Sequence, residues 1–390
     1  MVYDSSQNFP NNRSTLYSKA LDILLEKWAA EKRIQRDDIY QGLHTDLEKA
    51  LLAEIAYKEF EADRLFFKRE KITQQITTFL EKILEAPPHL NSKAVLNAIE
   101  VQQGILVERA EDIYSFSHLT LQEFLTAQYI ADDPDEIEKL VFNHLTDTHW
   151  REVFLLVAGL KRSADRLLLQ MEKQAQSYLN TPKLWRLIQW ADNATAESKG
   201  AYKPAAKRAA AVYLARARDL ALFRDLALGS ARVSDIALNI ASDLARALDL
   251  ALARDLALYI DRDRAFALAL VHARDLDLDL AHQFNQVNIF KTVNFNALIG
   301  RLEALKTQIP DQNESKEVHH AFVDRLDNIW SDALRINPDL AKLSQKEANA
   351  LQRYLEANRL IIQCKTAAVL VSRQVWEGIE ERMLTVPQNN

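Results

Sequence analysis

Glycine is what this sequence most lacks. It has 7 in 390 residues, where average usage of ~7% would give about 27. Proline is scarce too, at 9. A chain so poor in both offers few tight turns, bulges or phosphate-cradling loops. That weighs against all-β folds and doubly wound nucleotide folds, and for helices. The single cysteine, Cys364, excludes an intramolecular disulfide framework and fits a reducing compartment. A basic excess is also missing. Lys and Arg number 49 against 55 Asp and Glu, a net charge of −6, whereas a protein that neutralises many phosphates usually carries positive charge. No apolar run reaches the ~18 residues of a membrane span, and Met1 to Asn12 has no signal-peptide core. The expectation is a soluble, cytoplasmic protein with neither nucleic acid nor membrane as partner.

What is present is ordinary globular material: 48% hydrophobic and 27% charged residues, enough length for two or three domains and a sizeable core. Leu16, Ala20, Ile23, Leu24 and Trp28 fall at helical spacing, and the pattern recurs over Thr45 to Asp63 and Lys71 to Glu85. Pro87-Pro88 stops the third helix. A shorter helix is expected over Asn91 to Gln103, with Gly104 just past its end. Ile105-Leu106-Val107 and Ile113-Tyr114-Ser115-Phe116 then flank a charged turn and predict a β-hairpin. Helices followed by such a hairpin are the plan of a winged helix. Thr120 and Glu123 have capping-box spacing for a helix over Leu121 to Ala131. Asp132-Asp133-Pro134 is the clearest boundary in the chain, and Asn180-Thr181-Pro182 is another break.

From Ala201 to Leu280 about half the residues are Ala or Leu, every acid is aspartate, and Arg-Asp-Leu recurs at Arg218, Arg224, Arg254 and Arg274. A pentapeptide β-solenoid needs a strict five-residue step. Successive aspartates at Asp219, Asp225, Asp235, Asp243, Asp249 and Asp255 do not keep it. Stacked short helices are expected instead, their Arg and Asp residues facing water or forming a partner surface. The last block predicts helices near His320 to Ile336, Ser344 to Leu355 and Leu360 to Leu384, with breaks at Asn337-Pro338 and Asn358. The fold class is all-α with one small β-hairpin. The domains expected are connector helices with a winged helix at 1–132, a helical connector at 133–200, the Ala/Leu/Asp array at 201–300 and a C-terminal helical domain at 301–390.

The stretch Phe116-Ser117-His118-Leu119-Thr120-Leu121-Gln122-Glu123-Phe124-Leu125-Thr126-Ala127 strongly resembles the winged-helix signature of NACHT-type STAND NTPases, relatives of the NOD-like receptors. Asn8 through Trp28 and Ala62 to Lys68 look like the family's approach to that domain. Trp150 to Leu156 is similar to the helices that follow it in bacterial members, and Leu360 to Glu380 to its C-terminal helical domain. The resemblance implies a histidine at 118 that touches the β-phosphate of ADP and holds a closed state. It also implies an ATPase core lying before residue 1, because the chain has no G-x-x-x-x-G-K-[ST] loop. ADP or ATP would belong to the full-length family, and this chain alone would hold no cofactor.

Weighed residue by residue, no catalytic constellation emerges. His118 precedes a helix N-terminus, where an anion is welcome; its plainer role would be to cap that helix. Gln122 and Glu123 fit capping and packing rather than acid–base work. His319-His320 lack further ligands at metal-site spacing. Cys364 sits in an apolar run and reads as a buried small residue. Trp150, Trp185, Trp190 and Trp330 read as core. The wing acids Glu108, Glu111 and Asp112 would repel DNA. The expected function is the non-enzymatic regulatory and sensing arm of a NACHT signalling ATPase, in signal transduction or antiphage defence. Its partners would be a NACHT nucleotide-binding domain in cis or trans and an unknown ligand or protein at the array. The alternative is a free-standing helical-repeat scaffold.

Overall fold

The computed structural model describes residues 12–31, 45–82, 92–99, 104–216, 278, 281–282, 284–310, 314–341 and 343–386. Most of the Ala/Leu/Asp array, the break at Pro87-Pro88 and the four-residue tail lie outside them. The chain divides into two compact units, one of residues 1–174 with 360–376, the other of 175–359 with 377–390.

The first unit opens with α1 (Arg13–Glu31), α2 (Thr45–Glu61), β1 (Phe67–Lys68), α3 (Arg69–Glu81) and α4 (Ser92–Ala98). There follow β2 (Leu106–Ala110), β3 (Ile113–Phe116), α5 (Leu119–Asp132), α6 (Pro134–His144), α7 (Arg151–Leu160) and α8 (Asp165–Ser177), the last ending in the second unit. The expected hairpin is present, paired Leu106 to Phe116 and Val107 to Ser115. The turn places Asp112 at φ 58°. A third strand escaped the sequence reading. β1 is two residues long, too short for any alternation to register, and pairs Phe67 with Tyr114 and Lys68 with Ile113. The sheet order is β1-β3-β2, antiparallel throughout.

α5 is the spine of this unit. Phe124, Leu125, Ala127 and Ile130 are buried, and the helix packs on α2 and α7, which contribute Leu51, Leu52, Ile55 and Phe60, and Val153, Phe154 and Val157. Burying side chains of this size contributes about 1.5–3 kcal/mol each. The break between α5 and α6 at Asp132-Asp133-Pro134, which lies inside the first unit, has its physical cause. Asp133 accepts a hydrogen bond from the Asp135 N–H at 2.8 Å, and Pro134 occupies the first turn of α6, where its missing N–H costs nothing.

The second unit holds α9 (Pro182–Thr195), α10 (Pro204–Arg216), α11 (Phe295–Lys306), α12 (Lys316–Leu334), the single turn α13 (Pro338–Ala341), most of α14 (Gln345–Ala367) and the end of α15 (Arg373–Arg382). Thr181 caps α9 by accepting from the Leu184 N–H. Arg208, almost wholly buried, caps α15 with both terminal nitrogens on the Glu381 carbonyl at 3.1 Å. Three expectations need correction. The helix expected over Leu360 to Leu384 is interrupted: α14 ends at Ala367 and α15 begins only at Arg373. Asn358 does not break the last block: α14 runs 23 residues straight through it. The buried Asn358 amide donates back to the Tyr354 carbonyl at 2.7 Å, which satisfies the side chain without leaving the helix. Nor is Trp185 core. It is 39% exposed and donates its indole N–H to the Leu179 carbonyl; Trp150 and Trp330 are buried as expected.

Candidate functional site

The site is built where β3 hands over to α5. Ser117 is fixed on both sides: its N–H donates to the Ile105 carbonyl at 2.8 Å, and its own carbonyl accepts from Arg109. His118 follows in extended backbone, φ −137° and ψ 140°, as the residue before the helix. Its carbonyl accepts from the N–H groups of Leu121 and Gln122. Its side chain makes no capping hydrogen bond and is exposed. The expected capping box does not form either. α5 starts at Leu119, so Thr120 is already inside the helix and cannot act as its cap. A 14-residue helix thus starts without a side-chain cap from His118, which stands exposed at the positive end of its dipole.

Large apolar side chains are exposed at the first residue of α5 and in the turn before β1, referred to below as the lip. Leu65 and Phe66 are 43% and 62% exposed, and Leu119 is 46% exposed. The lip is held by a chain of polar contacts. The fully buried Glu59 of α2 accepts from Arg64 Nε at 2.7 Å, from Gln75 Nε2 and from Lys71. The Arg64 carbonyl in turn accepts from Nε2 of the buried Gln122 in the first turns of α5, at 3.3 Å. The packing role expected of Gln122 is therefore specific: it ties α5 to the turn that carries Leu65 and Phe66. Sequence reasoning missed Glu59, since an acid on an amphipathic helix is ordinarily solvated; the only signal was its place on the apolar side, next to Phe60.

Glu123 faces away from this lip, toward α1 and α7. Burial, and then the Glu152 carboxylate, push its carboxyl up to about 7 against the opposing influence of Arg13. Arg13 itself pairs with Glu152 at 3.2 Å. On the wing, Glu108 and Asp112 both engage Arg69, at 3.0 and 2.8 Å. Cys364 is fully buried. The side chains of His319 and His320 lie outside the described residues. Among the described residues, no group of three or more His, Cys, Asp or Glu is placed to hold a metal ion, and no helix is long and apolar enough to cross a membrane.

Two family models match the chain. Residues 13–130 match the winged helix-turn-helix domain C-terminal to NACHT, and residues 298–386 match NACHT C-terminal helical domain 2. No curated protein and no solved structure matches it. The chain therefore carries NACHT-associated C-terminal domains: the first model spans α1 to α5 with the whole sheet, the second α11 to α15.

Proposed function

We propose that the chain is the non-catalytic regulatory arm of a NACHT-type ATPase. The winged helix docks on a NACHT nucleotide-binding domain, in the same polypeptide or another, through the face made by His118, Leu119, Leu65 and Phe66. His118 then meets an ADP phosphate supplied by that domain and favours the closed state. The Ala/Leu/Asp-rich segment takes up a ligand or protein and shifts the equilibrium, which requires unequal affinity for the two states. The output is signalling, with antiphage defence as one form of it. Nucleic acid plays no part: the wing's Arg109 is committed to Ser115 and the Ser117 carbonyl, and Arg69 beside the wing is shared by two of its carboxylates.

One observation carries this reading above the others. His118 stands exposed at a helix N-terminus, its side chain engaged in no capping bond, inside the residues that match the NACHT-associated winged helix. A histidine there solely to hold the helix would have engaged its N–H groups. The test is calorimetric. ADP titrated into the chain alone should give no binding at micromolar concentration. A complex with a NACHT nucleotide-binding domain encoded upstream should retain ADP. His118→Ala should weaken that retention about tenfold or more, ~1.4 kcal/mol, while leaving the complex associated. Micromolar ADP binding by the isolated chain, or undiminished retention in the variant, would overturn the reading.

A further inference from the structure

One side chain in the first unit serves three helix ends. Asn12 Oδ1 accepts from the Ser14 N–H at 2.7 Å, and its carbonyl accepts from the Leu16 N–H, so Asn12 is the cap of α1. Its Nδ2 points the other way. It donates to the Gly159 carbonyl at 3.4 Å, one residue before the end of α7, and to the Ala367 carbonyl at 3.2 Å, the last residue of α14. Carbonyls in the last turn of a helix have no partner within it, so one amide satisfies two helix ends 147 and 355 residues away.

The surroundings are shaped to this arrangement. Ser14 is buried and donates Oγ to the Leu156 carbonyl at 3.2 Å. It lies so close to Gly159 that a Cβ there would fall 2.3 Å from Ser14 Oγ and 3.1 Å from Asn12 Oδ1. Only glycine admits the contact at residue 159. Beyond Ala367 the chain is fastened again: the Ala164 N–H donates to the Leu370 carbonyl, and the Ser372 N–H to Asp165 Oδ1 at 2.8 Å. Arg151 Nε adds a bond to Gln363. Asparagine, aspartate and serine all cap helices well, but of the three only asparagine also carries N–H donors. The identity of residue 12 is thus explained by the joint and not by the cap alone.

We propose that Asn12 is a three-way joint that passes displacement of the end of α14, within the matched C-terminal helical domain, to the start of α1 and the end of α7. The joint is independent of whether His118 meets a nucleotide. It gives the last domain of the chain a mechanical hold on the point where the first domain begins.

Hydrogen exchange on the full chain tests it. Asn12→Asp keeps the acceptor for Ser14 but removes both donors and sets a carboxylate against two carbonyls. Amides of residues 16–20 should exchange within about twofold of wild type, and those of 365–372 at least tenfold faster. Asn12→Ala, which loses all three side-chain contacts and keeps only the backbone carbonyl to Leu16, should speed both segments. Asn12→Ser, which keeps a cap but reaches less far, should repeat the aspartate pattern and serves if the aspartate variant does not fold. Unchanged exchange at 365–372 in the aspartate or serine variant would overturn the joint. So would faster exchange spread evenly over the chain, α3 included.

Discussion

Replacing Glu123 by glutamine should make the first unit less sensitive to rising pH, by an amount that follows from where the carboxyl sits. Its proton affinity is raised from 4.5 to about 7, first by burial and then by Glu152. A raised carboxyl means that the folded state holds a proton the unfolded state has released. Stability from this group is complete below about 4.5 and is lost as pH climbs through 7. The full rise sets a ceiling of about 3 kcal/mol. Because the side chain keeps partial access to water and Arg13 lies close by, roughly 1–2 kcal/mol is the working figure. Glutamine mimics the neutral form at every pH. Protection of the α5 amides, corrected for intrinsic exchange rates, should therefore match between Glu123→Gln and wild type near pH 4, below the unfolded value. By pH 8 the variant should be better protected by a factor of about 5–30. Taking the difference between the two proteins cancels, to first order, every other group that titrates. A protection ratio that stays flat from pH 5 to 8 would show that the carboxyl is ionised throughout and that its burial beside Glu152 has been misjudged.

Two more outcomes follow from buried groups. Glu59→Gln should cost about 1.5–3 kcal/mol, the worth of hydrogen bonds to a charged acceptor, and should speed exchange at residues 64–68, because Arg64 loses its anchor; a change below 0.5 kcal/mol in thermal unfolding would refute it. Burial pushes the Cys364 thiol well up, so a disulfide reagent should leave it untouched in the folded chain and react only after denaturation; rapid native labelling would show that the end of α14 opens.

The sequence was most informative where a local pattern is also the tertiary answer. The hairpin was legible because Val107, Ile113 and Tyr114 flank a charged turn, and the helix break at Asp133-Pro134 because a cap and an N1 proline are local chemistry. Asn358 misled because asparagine is a poor helix former in isolation. In α14 the buried amide finds the Tyr354 carbonyl one turn back, and burial of Leu351, Tyr354, Ile361 and Cys364 around it outweighs propensity. β1 was invisible for a different reason. Two residues become a strand only because Tyr114 and Ile113 are there to pair with them.

The candidate site divides along the same line. The sequence singled out the stretch around His118 as the candidate, and the structure adds that His118 is exposed and that the expected capping box at Thr120 gives way to an earlier helix start. What supports the site was not legible. Glu59, Arg64 and Gln122 are separated by 5 and 58 residues and meet through one carboxylate and one carbonyl. Asn12 meets Ala367 across 355. Neither contact repeats with a period or falls at a motif spacing, so no window along the chain contains it. Both use backbone carbonyls as acceptors, and a carbonyl is the same in every residue. A sequence can therefore advertise the donor, a polar side chain in an apolar neighbourhood, while the identity of its partner stays with the fold. The residues most worth mutating in this chain are accordingly buried or half-buried polar ones that donate to a distant backbone: Gln122, which ties α5 to the turn before β1, and Asn12, which ties the start of α1 to the ends of α7 and α14.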